Sequence, residues 1–136
     1  MKPYIHKINY YETDKMGVTH HSNYFRMMEE ARVYMLDELG WGYDRMEREG
    51  IISPVMDVSG EFKKTTTFPE ELTVFVYVEK CSAFKLFLKY EFKRGEEVVF
   101  TGTSTHCFLD TEGRPQVIQK TYPELFEKLT NGVQYD

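Results

Sequence analysis

The hydrophobic period changes once along this chain, and that change limits what it can fold into. Between residues 22 and 39, Tyr24, Met28, Ala31, Met35 and Leu39 step by three or four, so they share one face of a helix. Ser22 or Asn23 can cap its start and Gly40 can end it. Beyond residue 52 the period falls to two. Phe84, Leu86, Leu88, Tyr90 and Phe92 alternate with Lys85, Lys89 and Glu91, the pattern of a strand with one buried face. The spacing predicts further strands over residues 4–11, over 52–64 with interruptions near Pro54 and Gly60, and over 98–109. Residues 72–80 are apolar on both faces, which predicts a strand covered on both sides. Turns fall at Arg94-Gly95-Glu96 and at 110–114. A short second helix is expected at 43–49, a short pairing at Val117-Ile118, and a terminal helix of about two turns after the capping box Thr121-x-x-Glu124.

One strand, one main helix and then a run of hairpin-linked strands is not strict β-α alternation. It implies an α+β chain with an antiparallel sheet wrapped over one face by the helix. Aromatic residues make up 15% of the chain, and one helix cannot cover a sheet this aromatic. The open edge strand must also be hidden. A symmetric dimer with the two sheets joined is therefore expected.

The 136 residues suit a single domain spanning 1–136, with no repeat or linker. A net charge of −5 argues against broad nucleic-acid binding, which runs on basic surface. Cys81 and Cys107 are too few for a disulfide scaffold and suit a reducing compartment. No signal peptide opens the sequence and no stretch is long and apolar enough to span a membrane, so the cytoplasm is the expected location.

The densest group of chemically capable residues is Tyr11-Glu12-Thr13-Asp14-Lys15-Met16-Gly17-Val18-Thr19-His20-His21-Ser22-Asn23-Tyr24, between the first strand and the main helix. A helix start carries free N–H groups and a positive dipole end, which can polarise a carbonyl. Asp14, a few residues upstream, can be aimed at the same point. A carboxylate beside a polarised carbonyl is what hydrolysis of an activated acyl group requires. The bland readings are a turn role for Asp14, bonding its own backbone, and a turn glycine at Gly17. His20 and His21, as neighbours on an extended segment, point apart. A zinc site drawing on them, or on His6 and His106, has little support from spacing. His106 and Cys107 face opposite ways on a strand, which argues against a Cys–His nucleophile. Glu29 and Glu30 read as a solvated face or as ion-pair partners of Arg26 or Arg32. Lys63, Lys64, Lys85 and Lys89 could meet phosphates, although lysines on strands usually mark the wet face.

Tyr11-x-Thr-Asp14-x-x-Gly17-Val18-x-His20-His21-x-x-Tyr24, followed by Glu29-x-Ala31-Arg32, resembles the signature of the 4-hydroxybenzoyl-CoA thioesterase family, and within it the bacterial YbgC-type acyl-CoA thioesterases. The resemblance implies the hotdog fold, a long helix wrapped in an antiparallel sheet, in a homodimer or homotetramer. It implies hydrolysis of an acyl- or aroyl-CoA with no cofactor and no metal. The role of nucleophile or general base falls on Asp14, and the N–H that polarises the carbonyl falls on His21. Gly17 and Val18 would position the loop around the substrate, and His20 and Tyr24 would border it. Many relatives carry Tyr where His20 stands. Some place arginines where this chain has Ser82-Ala83-Phe84, which leaves Lys63, Lys85 and Lys89 as the candidates for the coenzyme A phosphates. Two other readings stand beside this one. The chain could be a hotdog dehydratase or hydratase acting on acyl thioesters, or a non-catalytic acyl-binding module.

Overall fold

The computed structural model describes all of residues 1–136. Five strands form one antiparallel sheet in the order β1-β3-β4-β5-β2: β1 (Tyr4–Lys7), β2 (Val55–Phe62), β3 (Glu71–Cys81), β4 (Lys85–Arg94) and β5 (Glu97–Cys107). The helix α1 (His21–Glu38) lies against the inner face, in the hotdog arrangement. Three shorter helices follow: α2 (Tyr43–Arg48), α3 (Ile118–Thr121) and α4 (Pro123–Asn131).

The expected core forms where the periods placed it. Tyr24, Met28, Ala31 and Met35 of α1 are buried, and Met27 and Leu36 widen the stripe. They meet Leu72, Val74 and Val76 of β3, and Leu86, Leu88, Tyr90 and Phe92 of β4, in one cluster. Phe84 stands just outside β4 and is exposed.

Several expectations fail for identifiable reasons. The first strand ends at Lys7, not at residue 11. Asn9-x-x-Glu12 is itself a capping pair: the Glu12 carboxylate accepts from the Asn9 N–H at 2.7 Å and closes a 3₁₀ turn over Tyr10–Glu12. β2 is shorter than 52–64 but runs unbroken through Gly60. A Cβ at Gly60 would stand 2.3 Å from the Phe100 ring, so this glycine makes room for a core aromatic and does not break the strand. The outer face of β3 is only half covered. The C-terminal tail lays Tyr135 there, at 5.1 Å from Phe75 and 5.6 Å from Tyr77, ring to ring. Its hydroxyl meets both the N–H and the C=O of Val76, where short β1 no longer reaches. Val117-Ile118 makes no strand pairing, because Ile118 begins α3. Thr121 caps nothing: its hydroxyl donates to the Val117 carbonyl, and α4 starts instead on Pro123, whose fixed φ suits a first helical position.

The core also holds a polar line absent from the expectations. Arg32 is 5% exposed and pairs with neither Glu29 nor Glu30. Its Nε donates to the Tyr43 hydroxyl at 2.8 Å and its Nη1 to the Tyr90 hydroxyl at 3.1 Å. Tyr90 Oη lies 2.6 Å from Ser104 Oγ, which lies 2.7 Å from His106 Nε2. His106 Nδ1 is buried without a partner. Burial, and secondarily the Arg32 charge, push the His106 pKa down to about 4, so the ring is neutral.

One further connection fixes the chain around α1. The Glu12 carbonyl accepts from the His20 N–H at 2.8 Å and from Asn23 Nδ2 at 2.8 Å. It joins the end of the first strand to the start of the helix. The Glu12 side chain is buried against His6 Nε2, at 2.9 Å.

Two outcomes follow from these contacts. Asn23→Ala should lower unfolding free energy in urea by about 1–2 kcal/mol, the usual cost of a lost buried hydrogen bond; a change below a few tenths would show that this bond carries no weight. The histidine effect has a definite sign. With a folded pKa near 4 against an ordinary 6.5, the unfolded chain takes up the proton first. The stabilisation from His106 is complete above pH 6.5 and fades as pH falls toward 4, by on the order of 3 kcal/mol. Urea titrations from pH 7 to pH 4 should show a shallower acid loss in His106→Gln than in the parent.

Candidate active site

The loop from Thr13 to Thr19 is a miniature hairpin. Thr13 and Thr19 form an isolated antiparallel bridge, the Asp14 N–H donates to the Val18 carbonyl at 2.9 Å, and the Gly17 N–H donates to the Asp14 carbonyl at 3.0 Å. Gly17 has φ +80°, a conformation that side-chain-bearing residues rarely adopt, so the turn requires this glycine. The loop is fastened to the segment before β3. The Thr67 hydroxyl donates to the Gly17 carbonyl at 2.6 Å, and the Thr19 N–H to the Thr66 carbonyl at 2.8 Å. Asp14 therefore sits on an anchored turn. It is half-buried, and its Oδ1 accepts from the Met16 N–H at 2.8 Å. That is the turn bond of the bland reading; the second carboxylate oxygen makes no hydrogen bond within the chain.

The helix start is capped by His20, not by Ser22 or Asn23. His20 Nδ1 accepts from the Ser22 N–H at 3.3 Å and lies 2.8 Å from Ser22 Oγ. The two histidines do not point apart. Their ring centroids are 4.2 Å apart, because the cap turns the chain into the first helical turn between them. The His21 N–H finds no acceptor in the protein. It is a free donor at the positive end of an eighteen-residue helix.

A cleft of about 230 Å³ opens beside this donor, lined by Thr19, His21, Tyr24, Phe62, Lys63, Lys64 and Thr65. Tyr24 is its rigid wall. Its ring stacks on Phe100 at 4.8 Å and meets Phe62 edge-on at 5.3 Å. Its hydroxyl lies 2.7 Å from Thr66 Oγ1, itself 2.7 Å from Thr19 Oγ1. Burial raises the Tyr24 pKa, so the hydroxyl keeps its proton. Lys63 lies 3.4 Å from Glu61, whereas Lys64 makes no ion pair.

Of the residues singled out in the sequence, His21, Tyr24, Lys63 and Lys64 thus share one cleft. Asp14, Gly17, Val18 and His20 do not line it; they lie in the turn and cap that precede His21. Lys85 lies elsewhere in the protomer. It opens β4, whereas the cleft is level with the other end of that strand, where Phe92 pairs with Phe100 and Phe100 with Phe62. Lys89 faces outward with Tyr77, Glu91, Thr101 and Thr103, on the far side of the sheet. Phe62 and Thr65 escaped the sequence reading, since neither their type nor their spacing marks them, and Thr19 stood there only as one residue of the polar loop. His6 is held between Glu12, at 2.9 Å from Nε2, and Glu30, at 3.1 Å from Nδ1. No three His, Cys, Asp or Glu side chains gather in a metal-ligating group.

Comparison with known proteins agrees with this architecture. YneP of Bacillus subtilis (strain 168), whose name is that of an acyl-CoA thioesterase, is 32% identical over 120 residues, covering 87% of each chain. An esterase by name from Aquifex aeolicus (strain VF5) is 31% identical over 106 residues, covering 78% of this chain and 83% of its own. The crystal structure of DHNA-CoA thioesterase from Staphylococcus aureus superposes with a TM-score of 0.87 at 34% identity, covering 93% of this chain and 87% of that one. The sequence profile of the Thioesterase-like superfamily matches residues 8–129, and the chain belongs to that superfamily.

Proposed function

We propose that the protein is an acyl-CoA thioesterase in which Asp14 and the His21 N–H act on the thioester carbon. The observation that carries this reading is the His21 N–H without an acceptor in the protein, on a residue that lines a walled cleft and follows the anchored turn bearing Asp14. The relatives named as acyl-CoA and DHNA-CoA thioesterases, at 32% and 34% identity, support the substrate class.

In this mechanism the thioester carbonyl oxygen accepts the His21 N–H, and the helix dipole favours the negative charge that develops there. Asp14 then has two routes. It can attack the carbonyl carbon, so that the C–S bond breaks, coenzyme A leaves as its thiol, and water splits the resulting anhydride. Alternatively it takes a proton from water, whose oxygen attacks the carbon directly. Both routes yield free acid and free thiol. Lys63 and Lys64, which line the cleft, would meet the coenzyme A phosphates, and Lys85 has no part in this reading.

The assembly follows from β2. It is the sheet's open edge, and Val55, Met56, Val58 and Phe62 on it are between 45% and 51% exposed. A bare apolar edge invites pairing with a second strand. A second copy meets this need: antiparallel β2 strands across a twofold bring Asp57, near the start of one, toward Lys63 and Lys64 at the end of the other.

Two variants test the chemistry by thiol release from a panel of acyl-CoAs. Asp14→Asn should fold normally and lose at least a hundredfold in kcat. His21→Pro removes the donor together with the imidazole, at a first helical position that proline tolerates, and should cost roughly a hundredfold or more, whereas His21→Ala, which loses the ring but keeps the N–H, should cost far less. Unchanged turnover in Asp14→Asn or in His21→Pro would remove that group from the mechanism.

A further inference from the structure

His6 stands on the inner face of β1, 6% exposed, and no step of the hydrolysis touches it. Its Nε2 lies 2.9 Å from Glu12 Oε1. Its Nδ1 lies 3.1 Å from Glu30 Oε2 and 3.1 Å from the Tyr4 hydroxyl. That hydroxyl donates to Glu30. Burial, and then the Glu30 carboxylate, raise the Tyr4 pKa, so the hydroxyl keeps the proton that it gives to Glu30. Each ring nitrogen thus faces an acceptor, an arrangement satisfied by a ring that donates from both. The two carboxylates are not equivalent. The Glu30 side chain is 49% exposed, where an ion pair is worth little. The Glu12 side chain is 6% exposed, so water cannot replace a donor lost there.

Glu12 Oε1 collects three donors: His6 Nε2, the Asn9 N–H at 2.7 Å and Asn9 Nδ2 at 3.1 Å. The Asn9 bonds lie within the 3₁₀ turn and shape it. The His6 bond ties the turn to the sheet. The main chain of the same residue reaches the candidate site, because the Glu12 carbonyl accepts from the His20 N–H and from Asn23 Nδ2. The next peptide after that N–H is the one that carries the His21 donor, and Asp14 follows Glu12 by two residues. A rotation of Glu12 therefore moves both reacting groups.

We infer that His6 is a positioning residue for the hydrolysis: its bond to the buried Glu12 carboxylate sets the main chain at Glu12, and with it the aim of the His21 N–H and of Asp14. The inference rests on the thioesterase reading. An oxyanion donor and a carboxylate work only close to their productive geometry, and a misplacement of about 1 Å can cost a hundredfold in rate. His6 lines no part of the cleft that takes the substrate, so its loss falls on turnover and leaves binding alone. The Glu30 arm is the solvated one and contributes little.

The test replaces His6 in two ways in the full-length protein and reads thiol release per folded molecule, with circular dichroism giving the folded fraction. His6→Gln can set an amide N–H where Nε2 stands, and so keeps the bond to Glu12. His6→Asn, one methylene shorter, reaches only toward the Nδ1 position. His6→Gln should hold kcat within roughly threefold of the parent, whereas His6→Asn should lose about tenfold or more in kcat with KM within about twofold. Glu30→Gln should stay within about twofold. His6→Asn leaves a buried carboxylate short of a donor, which threatens the fold, so the comparison is repeated in Glu12→Gln, whose neutral amide still accepts. There the Gln–Gln pair should turn over about threefold faster or more than the Asn–Gln pair. Hydrogen exchange at the His20 amide should quicken in the variants that lose kcat. Equal kcat for Gln and Asn at position 6 in either folded background, a loss confined to KM, or a loss in Glu30→Gln as large as in His6→Asn overturns the inference and leaves the hydrolase reading intact. So does a fall in kcat with unchanged exchange at His20. A parent that releases no thiol from any thioester overturns both.

Discussion

The main-chain carbonyl of Glu12 is the hinge point of this structure. It accepts from the His20 N–H and from Asn23, and so fixes the end of the first strand to the start of α1. Everything between those two points, from Thr13 to Thr19, is then a closed turn with little freedom. Asp14 and the His21 N–H belong to opposite ends of that closure, which fixes the backbone that carries each of them. The buried Glu12 carboxylate, held by His6 and Asn9, keeps the carbonyl in place from behind. A buried carboxylate is costly to desolvate, so its retention here requires partners of this quality.

The second constraint is one the protomer leaves open. A single helix and a five-stranded sheet bury one face well, yet β2 keeps a free edge with apolar residues on it. β1, at the other edge, is handled differently: it is only four residues long, and Tyr135 takes over the Val76 groups that it fails to reach. The two edges are thus not equivalent. One is blunted within the chain, while the other is presented. The side of the molecule that carries this bare edge is also the side on which two clefts lie, the one beside His21 and another lined by Arg32, Pro54 and Val55.

What the sequence made legible was whatever depends on period. The face of α1 and the inward residues of β4 follow from hydrophobic burial along a regular element, which local sequence encodes directly. The location of the candidate site, between the first strand and α1, was legible too, because turn chemistry and capping residues concentrate there. Three things were not. The early end of β1 was hidden because Tyr and Ile carried a strand signal through Asn9, whose pairing with Glu12 outweighs it. The stacking of His20 and His21 depends on which residue takes the cap, and a polar run offers several candidates. Arg32 figured in the sequence only as one of two alternative ion-pair partners for Glu29 and Glu30, which lie beside it. Its actual partners, Tyr43 and Tyr90, are brought to it by α2 and β4, contacts that no local spacing announces.

That last failure bears on why such a network exists. Replacing a buried charge and its hydroxyl partners with apolar side chains of similar volume is often neutral or stabilising. His106 adds a further cost, with one ring nitrogen buried and unpaired. A core of this size could be built without either, as the apolar remainder of β3 and β4 demonstrates. A guanidinium kept in the interior at such expense is held by the Tyr43 and Tyr90 hydroxyls, and through Tyr90 by Ser104 and a neutral His106, so what it does within the fold is tie α1 to α2 and to the centre of the sheet.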